Sequence, residues 1–330
     1  MSSRRPPLSK PFLTYHSVSM EKVYLQPPGS ASAIALLEAT AFASDNNHSV
    51  HEHYLNHSDR GWELYETIRC GGFAIVLRAR QRSTMQFHAV KIIHKDMSRS
   101  KLMKYCSSLR PQSEIDIIEH LKHDSIIAFV ASFESVEYLY IFTEYAHGRD
   151  LLEYMLTYGA MTEDSCRYCF YRVFLGIAYL HSSDIVHRDL KLENLVLSST
   201  SSLSNVKIID FGLAKNNQRD RCTTVIGTWN YMAPEVWYNR GRLESERIFY
   251  TQAVDMWSMG VILYASLAYE TPYEVRPSTY VQDIFELSWD DSPWFATTPM
   301  MIQFLKKLLC RDPALRASAQ ASLSDPWLSS

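Results

Sequence analysis

The chain has 330 residues, of which 46% are hydrophobic, so it can bury a sizeable core in one or two globular units. Its 36 acidic and 33 basic residues give a formal net charge of −3, which excludes a strongly basic surface and with it a nucleic-acid partner. No run of about 18 apolar residues is present, so we expect no membrane partner.

The first part of the chain differs in composition from the rest. Residues 1–59 are rich in serine and proline and sustain neither helical nor strand periodicity, except for a short apolar stretch at 31–43 that could form one helix. We therefore predict a flexible N-terminal extension over 1–59. Its start lacks the apolar core of a signal peptide, and the six cysteines are scattered, so a cytoplasmic or nuclear location is expected.

A folded domain is predicted over 60–330. Five short segments with turn residues at their ends are predicted to be strands, namely 62–68, 75–80, 88–93, 126–133 and 138–143. Between the third and fourth, Ile115, Ile118 and Leu121 recur at helical spacing and predict one helix over 113–121. These elements predict a small β lobe over 60–143 with one main helix.

The pattern becomes helical after the fifth strand. Apolar residues recur at intervals of three and four over 170–180, which indicates an amphipathic helix, and 255–267 is apolar on almost all sides, which indicates a buried one. We predict a connection over 144–149 and a large, mostly helical lobe over 150–330. The fold class is α+β with two lobes, and a small-molecule ligand is expected in the cleft between them.

Two runs of the sequence carry the chemistry. In the first, His187 to Asn194 reads HRDLKLEN, and in the second Asp210 is followed by Phe211 and Gly212. Asp189 can accept the proton of an attacking hydroxyl, and Lys191 can neutralise charge on a moving phosphoryl group. Asn194 and Asp210 offer the hard oxygen atoms that Mg²⁺ prefers.

These runs, with Ala233-Pro234-Glu235, resemble the motifs of the eukaryotic protein kinase family, over about residues 62–328. The resemblance implies a two-lobed kinase-like fold with a small, five-stranded antiparallel β lobe. It also implies ATP and Mg²⁺ as cofactors, protein substrates with serine or threonine acceptors, and Asp189 and Lys191 as catalytic residues. Lys191 is typical of serine/threonine kinases, and Gly148-Arg149-Asp150-Leu151 is similar to calcium/calmodulin-dependent and checkpoint-type kinases.

The same resemblance assigns the nucleotide site. Lys91 is expected to grip phosphates and to form an ion pair with Glu114, and His187 is expected to pack beneath the site. The other nucleotide-contacting residues are expected to be Gly71, Val76, Ala89 and Glu144, with Thr143 at the rear of the pocket. Arg69 and Ala74 depart from the family pattern because they replace two glycines of the phosphate-binding loop.

Regulatory and substrate-binding residues are also implied by the resemblance. Thr224 lies where an upstream kinase would phosphorylate the activation segment, and Arg188 and Lys215 would pair with that phosphate. Asp150 and Glu193 match acidic positions that pair with an arginine three residues before the acceptor. Alternatively, Thr224 is never modified, and the two carboxylates are solvated surface groups.

Several alternatives remain open from the sequence. The departures at Arg69 and Ala74 motivate a pseudokinase scaffold that binds nucleotide or partners without efficient turnover, and a small-molecule kinase is a second alternative. Cys166 and Cys169 have metal-site spacing, but core packing is the favoured interpretation. A metal site is also conceivable, though disfavoured, at the four histidines of the polar N-terminal segment: His48, His51, His53 and His57.

Overall fold

The structure is a computed structural model of the chain. It describes residues 61–70, 74–95, 111–199, 203–217, 222–273, 287, 294 and 297–329. The predicted extension over 1–59, its four histidines and the predicted phosphate-loop residue Gly71 lie outside these ranges.

The small lobe is built on one five-stranded antiparallel sheet with strand order β1-β2-β3-β5-β4. The strands are β1 (Trp62–Cys70), β2 (Ala74–Gln81), β3 (Phe87–His94), β4 (Phe129–Glu134) and β5 (Tyr138–Glu144). Its main helix is α1 (Pro111–Ile118). The predicted five strands and one helix are therefore confirmed.

Alternation along the strands gives the small lobe its core. On β2, Ile75, Leu77 and Ala79 are fully or almost fully buried, as expected for residues two apart on one face of a sheet. Trp62 packs on Phe142 with ring centroids 4.1 Å apart. The opposite face of β2 and β3 is thereby left to line the cleft beneath the sheet.

Two boundaries in the small lobe differ from the sequence prediction. Helix α1 ends at Ile118, because the amides of His120 and Leu121 bond three residues back in a tighter turn. The strand predicted from 126 begins at Phe129. Ile126 instead forms a parallel bridge to Ile208, so this residue joins the two lobes.

The large lobe is mostly helical. Its helices are α2 (Leu151–Tyr158), α3 (Glu163–Ser182), α4 (Pro234–Trp237), α5 (Ala253–Ala268), α6 (Pro299–Leu308), α7 (Ala319–Leu323) and α8 (Pro326–Ser329). Short 3₁₀ turns lie at Leu192–Asn194, Trp229–Tyr231 and Glu244–Glu246. Two small antiparallel pairs join β6 (Ile185–Val186) to β9 (Lys215–Asn216) and β7 (Leu195–Leu197) to β8 (Val206–Ile208).

Helices α3 and α5 form the centre of this lobe. Thr162 caps α3 by accepting a hydrogen bond from the amide of Ser165, which fixes where the helix starts. Helix α5 is buried on nearly all sides, as its sequence predicted. None of the helices in the described ranges is long and apolar enough to cross a membrane.

Candidate active site

A cavity of about 230 Å³ lies between the lobes. Six residues that were predicted from the sequence to form the nucleotide site line this cavity: Val76, Ala89, Lys91, Glu114, Thr143 and Glu144. Apolar walls come from Ile68, Ile118, Ile127, Ile141, Val196 and Ile209. The cavity thus combines apolar surface with a few charged groups at one end, which is typical of small-molecule sites.

Lys91 holds the charged end together. Its Nζ lies 2.8 and 2.7 Å from the two carboxylate oxygens of Glu114 and 2.7 Å from Oδ1 of Asp210. The ion pair predicted between Lys91 and Glu114 is therefore present. Gly212 permits this close approach, because a Cβ there would lie 3.1 to 3.2 Å from Lys91 Nζ, Asp210 Oδ1 and Glu114 Oε2.

The three charges shift one another's pKa values. Burial opposes the charged form of Lys91, but Asp210 and Glu114 outweigh it and raise the lysine pKa. Burial also opposes ionisation of Asp210, and Lys91 outweighs that effect, so the pKa of Asp210 lies below its usual value. Burial raises the pKa of Glu114. One lysine thus faces two carboxylates, an arrangement that attracts a further cation.

The β7–β8 pair places Asn194 and Asp210 side by side. Leu195 pairs with Ile208, and the Ile209 amide donates to the Asn194 carbonyl oxygen at 3.0 Å. Asn194 Nδ2 donates to the Asp189 carbonyl oxygen at 2.8 Å, which leaves Oδ1 turned away from that bond. The Asp210 side chain is 40% exposed to the cleft. One carboxylate and one amide oxygen fit Mg²⁺, which takes hard oxygen ligands.

Asp189 receives hydrogen bonds on both carboxylate oxygens. Lys191 Nζ donates to Oδ2 at 2.8 Å, and the amide and hydroxyl of Thr228 donate to Oδ1 at 3.0 and 2.8 Å. Lys191 Nζ also lies 3.1 Å from the Thr228 hydroxyl. The two residues predicted to be catalytic are therefore in contact, and Thr228 fixes the orientation of the carboxylate.

The loop that carries Asp189 is held from below by Asp255. Its two carboxylate oxygens accept from the amides of His187 and Arg188, each at 2.9 Å, and His181 Nε2 lies 2.9 Å from Oδ2. Burial opposes ionisation of Asp255, but these hydrogen bonds hold its pKa below the usual value. His187 is fully buried and packs on Phe211, as expected for a residue beneath the site.

Two residues of this site have a strained backbone. Arg188 has a φ of 66° and Asp210 a φ of 65°, in the left-handed region that side chains other than glycine rarely adopt. Gly227 has a φ of 115°, and a Cβ there would lie 2.7 Å from the Arg188 carbonyl oxygen. Only glycine fits at this contact between the activation segment and the catalytic loop.

Thr224 and Arg188 meet through Tyr250. The Tyr250 hydroxyl donates to the Thr224 carbonyl oxygen at 2.8 Å, and Arg188 Nη1 donates to that hydroxyl at 3.3 Å. Cys222 pairs with Tyr250 in an antiparallel bridge. Thr224 is 8% exposed, so most of the residue is buried in this conformation. Lys215 lies nearby on β9, opposite Val186.

The predicted substrate-binding residues are neighbours. Nη2 of Arg69 donates to Asp150 Oδ2 at 2.9 Å and to the Glu193 carbonyl oxygen at 2.8 Å, so one nitrogen reaches both. Asp150 also caps α2 by accepting from the Glu153 amide at 2.8 Å. Burial raises the pKa of Glu193, and its Oε2 is buried without a hydrogen-bond partner in the described part of the chain.

Glu144 lines the cavity, but its carboxylate is bound to two other residues. Its Oε1 accepts from the Ala128 amide at 2.8 Å and lies 2.5 Å from Lys207 Nζ. Glu144 therefore anchors the start of the connection between the lobes to the residue that precedes β4 and to β8. The next residues, Tyr145 and Ala146, also line the cavity.

Sequence reasoning missed the roles of several residues. Thr228 contacts Asp189, and Asp255 contacts the catalytic loop. These contacts join residues 39 to 68 positions apart, so no local pattern of the sequence indicated them. Tyr250 gave no signal. Arg69 was identified as a departure from the family, but its contacts across the cleft were not foreseen.

The favoured interpretation of the cysteine pair is confirmed. Cys166 and Cys169 are fully buried in the core on α3, and burial raises the pKa of Cys169 to about 12. No group of three or more metal-binding side chains (His, Cys, Asp or Glu) is present among the residues that the structure describes.

A two-lobed fold, a lysine–glutamate pair beneath the β sheet and a loop that presents an aspartate, a lysine and an asparagine define a protein kinase. Residues 62–328 match the protein kinase domain family, and the chain belongs to it. It is 33% identical to human serine/threonine-protein kinase H1 over 273 residues, which cover 81% of this chain and 61% of that protein.

Other relatives are more fully covered. Myosin light chain kinase A of Dictyostelium discoideum is 34% identical over 275 residues, 82% of this chain and 88% of that protein. Calcium/calmodulin-dependent protein kinase type 1B of Rattus norvegicus is 33% identical over 272 residues, 81% of this chain and 75% of that protein. The names of these three relatives describe a serine/threonine-protein kinase, a myosin light chain kinase and a calcium/calmodulin-dependent protein kinase.

Proposed function

We propose that the chain transfers the γ-phosphoryl group of ATP to serine or threonine hydroxyls of protein substrates. The observation that carries this proposal is the pairing, within one cleft, of Asp189 with Lys191 and of Lys91 with Asp210. Asn194 joins the two pairs, because it bonds Asp189 through its side chain and Ile209 through its backbone. Phosphoryl transfer depends on such fixed positions and charges.

Each group has a distinct role in this proposal. Lys91, oriented by Glu114, binds phosphate oxygens. Asn194 and Asp210 hold Mg²⁺, which, when bound, neutralises charge on the phosphates. Asp189 orients the acceptor hydroxyl and takes its proton, while Lys191 neutralises charge that develops on the transferred group. Thr228 keeps the Asp189 carboxylate in place through its amide and hydroxyl.

The test is phosphate transfer to a serine or threonine peptide. The wild-type chain is expected to be active with ATP and Mg²⁺, whereas Lys91→Met and Asp210→Ala should lose several orders of magnitude in rate, because each removes a positioned charge. The exposed carboxylate Asp164 on α3 offers a control outside the cavity, since Asp164→Ala should keep most of the activity. Equal rates in wild type and Asp210→Ala would end the enzyme proposal.

We further propose a preference for arginine three residues before the acceptor. Its support is that Asp150 and Glu193 are neighbours: one guanidinium nitrogen lies 2.9 Å from the Asp150 carboxylate and 2.8 Å from the backbone carbonyl oxygen of Glu193. A guanidinium is suited to two acidic groups because its planar fork carries several donors.

A positional peptide library tests the preference. Wild type should select arginine at the third upstream position, and Glu193→Ala should weaken that selection. Asp164→Ala is the control, because it removes an exposed carboxylate from α3 that does not line the cavity. Absence of selection in wild type, or selection untouched by Glu193→Ala, would contradict the preference.

A pseudokinase scaffold is the second candidate, and one contact favours it. Arg69 Nη1 lies 3.3 Å from Asn194 Oδ1, so a fixed cation is next to an oxygen proposed to bind Mg²⁺. Nucleotide binding without measurable phosphate transfer would establish this alternative. The intact contacts of Lys91, Asp189 and Asp210 favour the enzyme.

Regulation and location are also part of the proposal. An upstream kinase phosphorylates Thr224, and the phosphate pairs with Arg188 and Lys215. Protein substrates and this activator are the expected partners. A cytoplasmic or nuclear location follows from the scattered cysteines.

A further inference from the structure

Arg69 extends from the small lobe across the cleft to the large lobe. It lies near the end of β1, directly opposite Val76, and both residues line the nucleotide cavity. The β1–β2 register shifts between Thr67 and Arg69, and such an irregularity re-aims the side chains that follow it. The bulge is therefore the local cause that directs Arg69 into the cleft.

The guanidinium has three acceptors in the large lobe. Nη2 donates to Asp150 Oδ2 at 2.9 Å and to the Glu193 carbonyl oxygen at 2.8 Å, and Nη1 donates to Asn194 Oδ1 at 3.3 Å. The side chains of Arg69 and Asp150 are 35% and 21% exposed, so this ion pair is partly shielded from solvent. Partial burial strengthens it relative to a surface pair.

Asp150 is fully engaged within the chain. Its Oδ1 accepts from the Glu153 amide at the start of α2, and its Oδ2 accepts from Arg69. The Glu193 carboxylate differs, because Arg69 bonds only the backbone carbonyl of that residue. The chain's own guanidinium thus pairs with one of the two acidic groups proposed to bind a substrate arginine, while it makes no hydrogen bond to the carboxylate of the other.

We propose that Arg69 determines substrate specificity by occupying Asp150, so that a substrate arginine is bound through Glu193 alone. This inference rests on the proposed function of the acidic pair. It predicts that the chain discriminates less strongly for arginine than it would with a glycine at position 69. Removal of Arg69 frees the Asp150 carboxylate and should increase the discrimination.

Two peptides that differ only in arginine or alanine three residues before the acceptor provide the test. The ratio of their dissociation constants is measured by fluorescence anisotropy, and the ratio of kcat/KM by phosphate transfer at saturating ATP. Arg69→Gly should increase both ratios in favour of the arginine peptide by about tenfold, the effect of one additional charge-assisted pair. Arg69→Gln is a second variant that removes the charge and retains a β1 side chain.

A double-mutant cycle assigns the effect to Asp150. Asp150→Asn keeps a helix-capping side chain but loses the charge, so adding it to Arg69→Gly should return the ratio to the wild-type value. Unchanged or lower ratios in both Arg69 variants would overturn the proposal, as would a gain that survives Asp150→Asn. Absence of phosphate transfer by wild type counts against the proposed function, whereas the binding ratios still decide the role of Arg69.

Discussion

The charged side chains in the cleft are held in position by ion pairs and hydrogen bonds to their neighbours. Lys91 is shared by two carboxylates, Asp189 is oriented by Lys191 and Thr228, and Asp150 is paired with Arg69. Because these groups are in direct contact, replacing one residue changes the electrostatic environment of its neighbours as well. Small substitutions in this cleft therefore have predictable chemical consequences.

Thr143 gives a prediction about inhibitors. It pairs with Ala89 across β3 and β5 and lines the rear of the nucleotide cavity, where its small side chain leaves space. Thr143→Met should fill that space and weaken bulky ATP-competitive inhibitors at least about tenfold, while ATP use changes little. Inhibition constants for one bulky compound and one compact compound measure this. Equal binding of the bulky compound to both proteins would show that Thr143 does not face that space.

His88 gives a prediction about pH. It is 7% exposed beside Trp62, and burial lowers its pKa below the ordinary value of about 6.5. His88 then binds a proton more readily in the unfolded chain than in the folded one. Neutral, buried His88 therefore contributes to the free energy of unfolding above about pH 6.5, and this contribution is lost as the pH falls below that value. His88→Phe removes this dependence.

Melting temperatures of wild type and His88→Phe between pH 8 and pH 5.5 test the sign. The wild-type value should fall relative to that of the variant as the pH decreases. The comparison between the two proteins cancels the other histidines, which they share. A difference that stays constant, or that changes in the opposite direction, would contradict the proposed protonation of His88.

The activation segment shows how an element can be held in place before modification. Thr224 is covered, its carbonyl oxygen is bound by Tyr250, and the adjacent Gly227 contacts the catalytic loop. Access of an upstream kinase to the Thr224 hydroxyl therefore requires this part of the segment to open. Once added, a phosphate of about −1.5 to −2 charge would have Arg188 within the same cluster.

We predict that active protein carries phosphate on Thr224 and that Thr224→Ala lowers phosphate transfer about tenfold or more. Intact-mass and peptide mass spectrometry detect the modification, and a peptide assay measures the rate. Thr223→Ala serves as the neighbouring control, since that threonine is less buried. Full activity of Thr224→Ala would refute dependence on this phosphate.

Sequence reasoning predicted the elements best where residue type dictates geometry. Alternating apolar residues fixed β2, and the continuous apolar run fixed α5, because burial on one face or on all sides requires those patterns. The end of α1 was misplaced because Leu121 fits the helical period yet is buried from a following turn. Helical spacing of apolar residues indicates which residues are buried. A buried residue can nevertheless lie in a turn beyond the end of the helix, as Leu121 does.

The part of the candidate site that lies in sequence motifs was predicted from the sequence. Lys91, Glu114, Asp189, Asn194 and Asp210 all lie where the motifs placed them. Arg69 reaches Asp150, 81 residues away, because of an irregularity in strand β1. Thr224 is held by Tyr250, 26 residues away. No local pattern encodes such pairings, so they required the folded structure.

Stability of the whole molecule depends on a buried ion pair in the large lobe. Arg316 donates to both Glu235 oxygens at 2.6 and 3.0 Å, and its side chain is fully buried. Arg316→Ala leaves the Glu235 charge without its partner and should cost about 3–5 kcal/mol in the free energy of unfolding. The exposed Arg242→Ala should change it by less than about 0.5 kcal/mol. Denaturant unfolding of both variants measures the difference, and equal effects would contradict the role of the pair.

The proposed catalysis unites both lobes, since β3 supplies Lys91 and the large lobe supplies Asp189. The most direct test compares transfer of radiolabelled γ-phosphate to a serine or threonine peptide by wild type and Asp189→Asn. Asparagine keeps the shape of the side chain but cannot take the proton, so the rate should fall about 100- to 10,000-fold. Stabilisation by Mg²⁺ and ATP in a thermal melt should persist in the variant. Equal rates, or no transfer by a wild-type protein that binds nucleotide, would contradict the proposal that this chain is a serine/threonine kinase.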